Sequence, residues 1–283
     1  MIRRPAVAGT FYLGKENSLK KQIEDCFLHS IGPGEIPTPA KKSEGRIIGL
    51  VSPHAGYIYS GPVAAWGFRE VIKRERPKTV VILGPNHRGF GAPVAIMTQG
   101  KWETPLGKVE IDSEFAKKLL EISSLLEDDP LAHEREHSLE VQVPFLQYAY
   151  NEDFKIVPIC LSDQTTETCI SLGKDIFKVM ERKKDILLIA STDFTHYQPQ
   201  QIAEKEDKKL IQAITSGDAQ KLGKLVSSYR FSMCGPGPVM TVMEVASSLG
   251  GAKIELLKYA TSGDITGDYS AVVGYASLCL SRV

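Results

Sequence analysis

Short, wholly apolar runs alternate along this chain with longer segments of helical periodicity, and that alternation leaves few ways to fold. Runs rich in valine, isoleucine and leucine stand at 47–51, 80–83, 94–97, 156–160, 186–190, 254–257 and 271–280. Each is short enough for a strand and too apolar for a strand with one face in water, which predicts a sheet buried on both faces. Between them, helical spacing covers 18–29, 62–74, 113–121, 166–182, 202–215, 219–229 and 238–249. Strands alternating with helices imply an α/β sandwich. The stretch 32–44, with three prolines and two glycines, reads as a loop after the first helix rather than a boundary, so the 283 residues are taken as one domain, 1–283.

Charge and cysteine usage narrow the function classes. Lysine plus arginine equal aspartate plus glutamate at 34 each, so no overall field draws the chain to nucleic acid or to an anionic membrane surface. The five cysteines are odd in number, scattered and without a Cys-x-x-Cys pair, which fits a reducing compartment. No segment approaches the ~20 apolar residues of a membrane span, and the start, MIRRPAVAGTFYLG, lacks a signal-peptide core. A cytoplasmic protein is expected.

The chemistry collects after the strands. His54, His87 and His196 follow the runs ending at Val51, Leu83 and Ala190. Ligands of open α/β sheets bind beyond the carboxyl ends of the strands, so parallel, adjacent strands would put all three on one rim. His54 and His87 each lie between a proline and a glycine, in SPHAGY and GPNHRG, residues that shape tight turns able to aim an imidazole. Each alone could equally bond a carbonyl; three at equivalent positions favour a shared site.

Three further clusters carry candidates. In EREHSLE, a helix starting near Ser138 would have that serine as N-cap, with His137 and Glu140 on one side; Glu134 and Glu136 read as its solvated start, and His133 as a residue on a flexible loop. In STDFTH, Asp193 and His196 form an acid–base pair or a ligand with its orienting partner, or Asp193 caps the next helix. Cys234, in a Gly-Pro loop before an apolar helix, is a candidate soft metal ligand or nucleophile, since a helix N-terminus lowers a thiol pKa; the other four cysteines read as small buried hydrophobes. Two readings follow from the residue types, a mononuclear metal site and a Cys-His-Asp hydrolase built from Cys234, Asp193 and His196 or His137. A third is a binding module, with Tyr57, Tyr59 and Trp102 lining a groove or packing in the core.

RPAVAGTFY at 4–12, SPHAGYIYSG at 52–61, LGPNHRG at 83–89, EHSLEVQVPFLQ at 136–147, STDFTH at 191–196 and GDYSAVVGYAS at 267–277 together resemble the Memo family in order and spacing. The resemblance implies a three-layer sandwich with a mixed, largely buried central sheet flanked by helices, similar to class III extradiol dioxygenases, nonheme iron enzymes with two histidines and a glutamate. In Memo proteins a cysteine replaces that glutamate. Carried over by motif, the metal ligands would be His54, His87 and Cys234, with His137, Asp193 and His196 as the catalytic polar residues and Glu140 and Tyr59 elsewhere in the pocket. Iron or copper is the implied ion, with zinc as the other choice. Gly235-Pro236-Gly237-Pro238 stands where animal members carry a basic, histidine-containing stretch, so the chain is similar to microbial members, which accompany a radical SAM protein and a third component in the AmmeMemoRadiSam system.

Overall fold

The computed structural model describes every residue except Glu152, Glu181, Arg182, Lys184, Arg230 and Val283. Its centre is four parallel strands in the order Lys155–Leu161, Thr79–Pro85, Ile186–Ser191, Ile47–Ser52. Apart from Lys155 every residue in them is buried, as expected of a sheet covered on both faces. Val272–Arg282 pairs antiparallel with Ile47–Ser52 and extends the sheet through Ala252–Thr261, making it mixed.

Two helical layers cover this sheet. Adjacent strand residues point to opposite faces, and Gly49 and Leu50 mark the two. A Cβ at Gly49 would lie 3.1 Å from Val242 in helix Pro236–Ser248, whereas Leu50 reaches Gly67 in helix Tyr57–Arg74. Helices Thr166–Met180 and Ala219–Ser228 pack with the first, and Glu16–Leu28 and Val143–Tyr150 with the second. Local chemistry sets several starts: Asp112 and Asp218 accept the N–H groups of Phe115 and Lys221 as N-caps, and Pro236 occupies the first turn of its helix, where no N–H is needed.

Two expectations need correction. The helix expected from 62 begins a turn earlier, at Tyr57, and carries Pro62 inside it; the Tyr57 N–H, without an intrahelical partner, donates to Phe11 O at 2.7 Å. No helix is capped by Ser138, whose hydroxyl donates to Pro85 O, and the chain passes through a 3-10 turn, Glu140–Gln142, before Val143–Tyr150. Strands Lys101–Thr104 and Gly107–Ile111 form an unexpected hairpin because their alternating pattern buries only every second side chain. The end of the expected 166–182 helix lies outside the described residues, within which that helix is Thr166–Met180. Among the described residues no helix is long and apolar enough to cross a membrane.

Candidate metal centre

Because Ile47–Ser52, Thr79–Pro85 and Ile186–Ser191 are parallel neighbours, the loops leaving their carboxyl ends converge and bring His54, His87 and His196 to one cavity of about 640 Å³. His137 arrives from a different direction. A Cβ at Gly84 would fall 2.6 Å from Ser138 Oγ and 2.8 Å from Leu139 Cδ1, so a bare glycine lets the 136–139 segment lie against the strand end. That approach lets the Glu136 carboxylate take both the His87 backbone N–H and His87 Nδ1, the latter at 2.9 Å.

His54, His87 and His137 each offer a ring nitrogen, and these three nitrogens lie within 4.8 Å of one another. Ring centroids are 4.5 to 5.4 Å apart. The hydrogen bonds fix which nitrogens are free. Ser191 Oγ spends its only hydrogen on Ser138 O and accepts from Gln142 Nε2, so its 2.9 Å contact with His54 must be donated by Nδ1–H. His54 Nε2 is then unprotonated. His87 likewise gives Nδ1–H to Glu136, leaving Nε2 available. Locking one nitrogen outward to free the other is how proteins prepare histidines for metals. His137 Nδ1 lies 3.3 Å from Glu136 Oε1 without hydrogen-bond geometry and is a buried atom with no partner. A donor set of this kind fits a metal ion.

Burial disfavours protonation of two of these rings, His54 and His137. Burial, and then mutual repulsion with His137, His87 and His196, holds His54 well below the usual imidazole range; burial pushes His137 down to about 4. Burial alone would raise Glu136, but its bonds to His87 and to the Ser138 N–H, with the His87 and His137 rings beside it, prevail and hold it at about 2. Glu136, expected to be solvated, is thus the fully buried carboxylate that orients the site.

Asp193 caps no helix. Its Oδ1 accepts the His54 backbone N–H at 2.8 Å, and burial raises its carboxyl to about 6. His196 lines the cavity and donates Nδ1–H to Ser232 O at 2.8 Å, leaving Nε2 free. Next to it Tyr197 sits at φ 56°, at a register shift in the short strand His196–Gln198. Such backbone costs a non-glycine residue about 1–2 kcal/mol.

Cys234 Sγ lies 3.2 Å from His54 Nε2 and accepts the Asp193 N–H, but Cys234 is not among the residues lining the cavity and lies outside the three-nitrogen group. Burial, and then Asp193, pushes its thiol well up, contrary to the lowered pKa expected of a helix N-terminus. The expected set of His54, His87 and Cys234 therefore meets a geometry in which His137 is the third clustered nitrogen.

Glu140 turns away from the cavity. It pairs with the buried Arg3 and accepts from Ala6 N, Val7 N and Tyr12 Oη, clamping the N-terminal segment so that Phe11 packs 4.7 Å from the His137 ring. Tyr59 does line the cavity, whereas Tyr57 is buried with its hydroxyl on Val141 O, and Trp102 is buried with its indole on Met97. His133 stands on helix Leu131–Glu134 in the core, beside Trp102, not on a flexible loop. Phe11, Ser191, Gln142 and Asp268 were not anticipated, although Phe11, Gln142, Ser191 and Asp268 all fall inside motifs that carried the family resemblance.

A family model described as Memo-like protein matches residues 3–279. A MEMO1 family protein of Methanopyrus kandleri is 48% identical over 285 residues, covering all of both chains. Relatives under the same description in Methanothermobacter thermautotrophicus and Thermotoga neapolitana are each 48% identical, covering 98% and 99% of this chain and all of theirs. Among solved structures, an uncharacterized protein of Escherichia coli K12 shares the fold, with TM-score 0.58 and 14% identity over 83% of this chain and 99% of its own.

Proposed function

This chain belongs to the Memo family, and we propose that its histidine cavity is a metal centre serving a redox reaction, with iron or copper as the resident ion. The observation that carries this reading is the approach of three ring nitrogens to within 4.8 Å, with two of the rings oriented by bonds through Nδ1. Imidazole nitrogens with a sulfur nearby suit iron, copper or zinc. Bound there, iron or copper would supply Lewis acidity and electron transfer. His54, His87 and His137 would hold the ion, with the Cys234 sulfur against His54 as a further donor. His196, with Nε2 free at the cavity, can accept a proton from a bound molecule, and Asp193 fixes the His54 loop. A Cys-His-Asp hydrolase fits less well, because the half-buried Cys234 thiol is pushed up and Cys234 is not among the residues lining the cavity.

Anaerobic purification followed by elemental analysis tests the proposal. One ion per chain is expected after reconstitution with iron or copper, lost in His54→Ala, His87→Ala and His137→Ala. Failure to retain stoichiometric metal after loading with iron, copper and zinc in turn would overturn it.

A further inference from the structure

A second cavity, of about 910 Å³, is lined by the sequence neighbours of the metal-centre residues: Arg88 follows His87, and Arg135 precedes Glu136 and His137. Arg4 joins from the N-terminal segment, and Pro130, Leu131 and Met97 supply apolar wall. The volume suits a small molecule.

Arg4, Arg88 and Arg135 are all exposed, and among the described residues none of the three makes an ion pair. Arg69, Arg74 and Arg76 by contrast find carboxylates, Glu35 at 2.6 Å, Glu70 at 2.9 Å and Asp153 at 2.5 Å; Arg46 and Arg282 are also exposed without an ion pair among the described residues, so what sets Arg4, Arg88 and Arg135 apart is that all three line one cleft. Arg88 is held in place, since its Nε donates to Arg135 O at 3.2 Å while its terminal nitrogens have no partner among the described residues. Arg3, also in the wall, is spent on Glu140, Glu136 O and His133 O. Among the described residues Glu134 is the one carboxylate lining the cleft, so the three uncommitted arginines outnumber the acid there on a chain whose overall charge is zero.

We infer that this cleft binds a small molecule bearing a phosphate or carboxylate oxyanion. Guanidinium forks match both groups in geometry and charge, and three arginines brought to one cleft from three chain segments, with an apolar wall beside them, give both charge recognition and area to bury.

Calorimetric titration of the full, metal-free chain at low ionic strength, with inorganic pyrophosphate and with citrate, tests the inference. Saturable binding of at least one is expected, and which one binds identifies the group. Arg88→Gln and Arg135→Gln should each weaken it about tenfold or more, the loss of a hydrogen bond between charged groups, while Arg88→Lys, which keeps charge without the fork, should fall between. These positions are exposed, and unchanged melting temperatures check that each variant folds. Lys20→Gln, on a distant helix, and His54→Ala, in the metal cavity, should bind like the unaltered chain. The inference fails if neither anion saturates, if the arginine variants bind undiminished, or if His54→Ala abolishes binding.

Discussion

Ser191 has one hydrogen and two lone pairs, and all three are committed: to Ser138 O, from Gln142 and from His54. It therefore dictates the tautomer of His54, and with it the availability of Nε2. Ser191→Ala should destabilise the metal-free fold by about 1–3 kcal/mol, the cost of unsatisfied buried groups. It should also weaken metal binding about 10–100-fold, as loss of an orienting partner does. Thermal melts in chelator and competitive metal titration read the two separately; a lowered Tm with unchanged affinity would make Ser191 structural only. Nothing in the sequence singled out this serine, because a strand-end serine reads the same whether it bonds water or a histidine. His54 and His87 were legible since turn residues bracket them directly after strands. Glu136 was not: surrounded by charged residues, it reads as solvated, and its burial depends on pairing with His87, 49 residues earlier.

At the scale of elements, continuous apolar runs announced the central strands and the helices between them an α/β sandwich, while which strands lie side by side came only from the structure. What the sequence concealed was the close packing at the strand ends. Gly84 lies next to the end of the Thr79–Pro85 strand, where Ser138 and Leu139 of the segment bearing Glu136 and His137 lie against it. Gly84→Ala places a methyl within 2.6 Å of Ser138 Oγ and 2.8 Å of Leu139, too close without backbone movement. An overpacking cost of about 1–3 kcal/mol is expected, together with reduced metal affinity as Glu136 is drawn from His87. Denaturant melts and metal titration check both; a variant that loses stability but keeps full affinity would mean the two loops move together. The hairpin of Lys101–Thr104 and Gly107–Ile111 was illegible for a different reason: short strands with alternate residues exposed carry little apolar signal.

For the whole molecule, buried histidines set the response to acid. His133, wholly buried and with neither ring nitrogen in a well-formed hydrogen bond among the described residues, is held down to about 3 by burial and then by the Arg3 charge. In the unfolded chain a histidine takes its proton near 6.5. Below that pH the unfolded state binds a proton the folded state refuses, so the stability present above about 6.5 is lost progressively as pH falls towards 3. Asp193 acts in the opposite sense: raised to about 6, it opposes folding at neutral pH, and that penalty is relieved as pH falls from about 6 to its ordinary value near 3.9. His133→Leu isolates the first effect, since leucine has similar volume and nothing to protonate. At pH 7.5 its Tm should stay close to that of the unaltered chain, because the replaced nitrogens make no well-formed hydrogen bond among the described residues, their one backbone approach being to Ala95. At pH 5 the histidine costs about 2 kcal/mol by linkage, which in a chain of this size is roughly 4–8 °C of Tm, and the variant should regain that difference. Melts of both proteins in chelator at the two pH values decide it: an equal drop between pH 7.5 and pH 5 in each would mean that the proton taken up on acid unfolding belongs to another group.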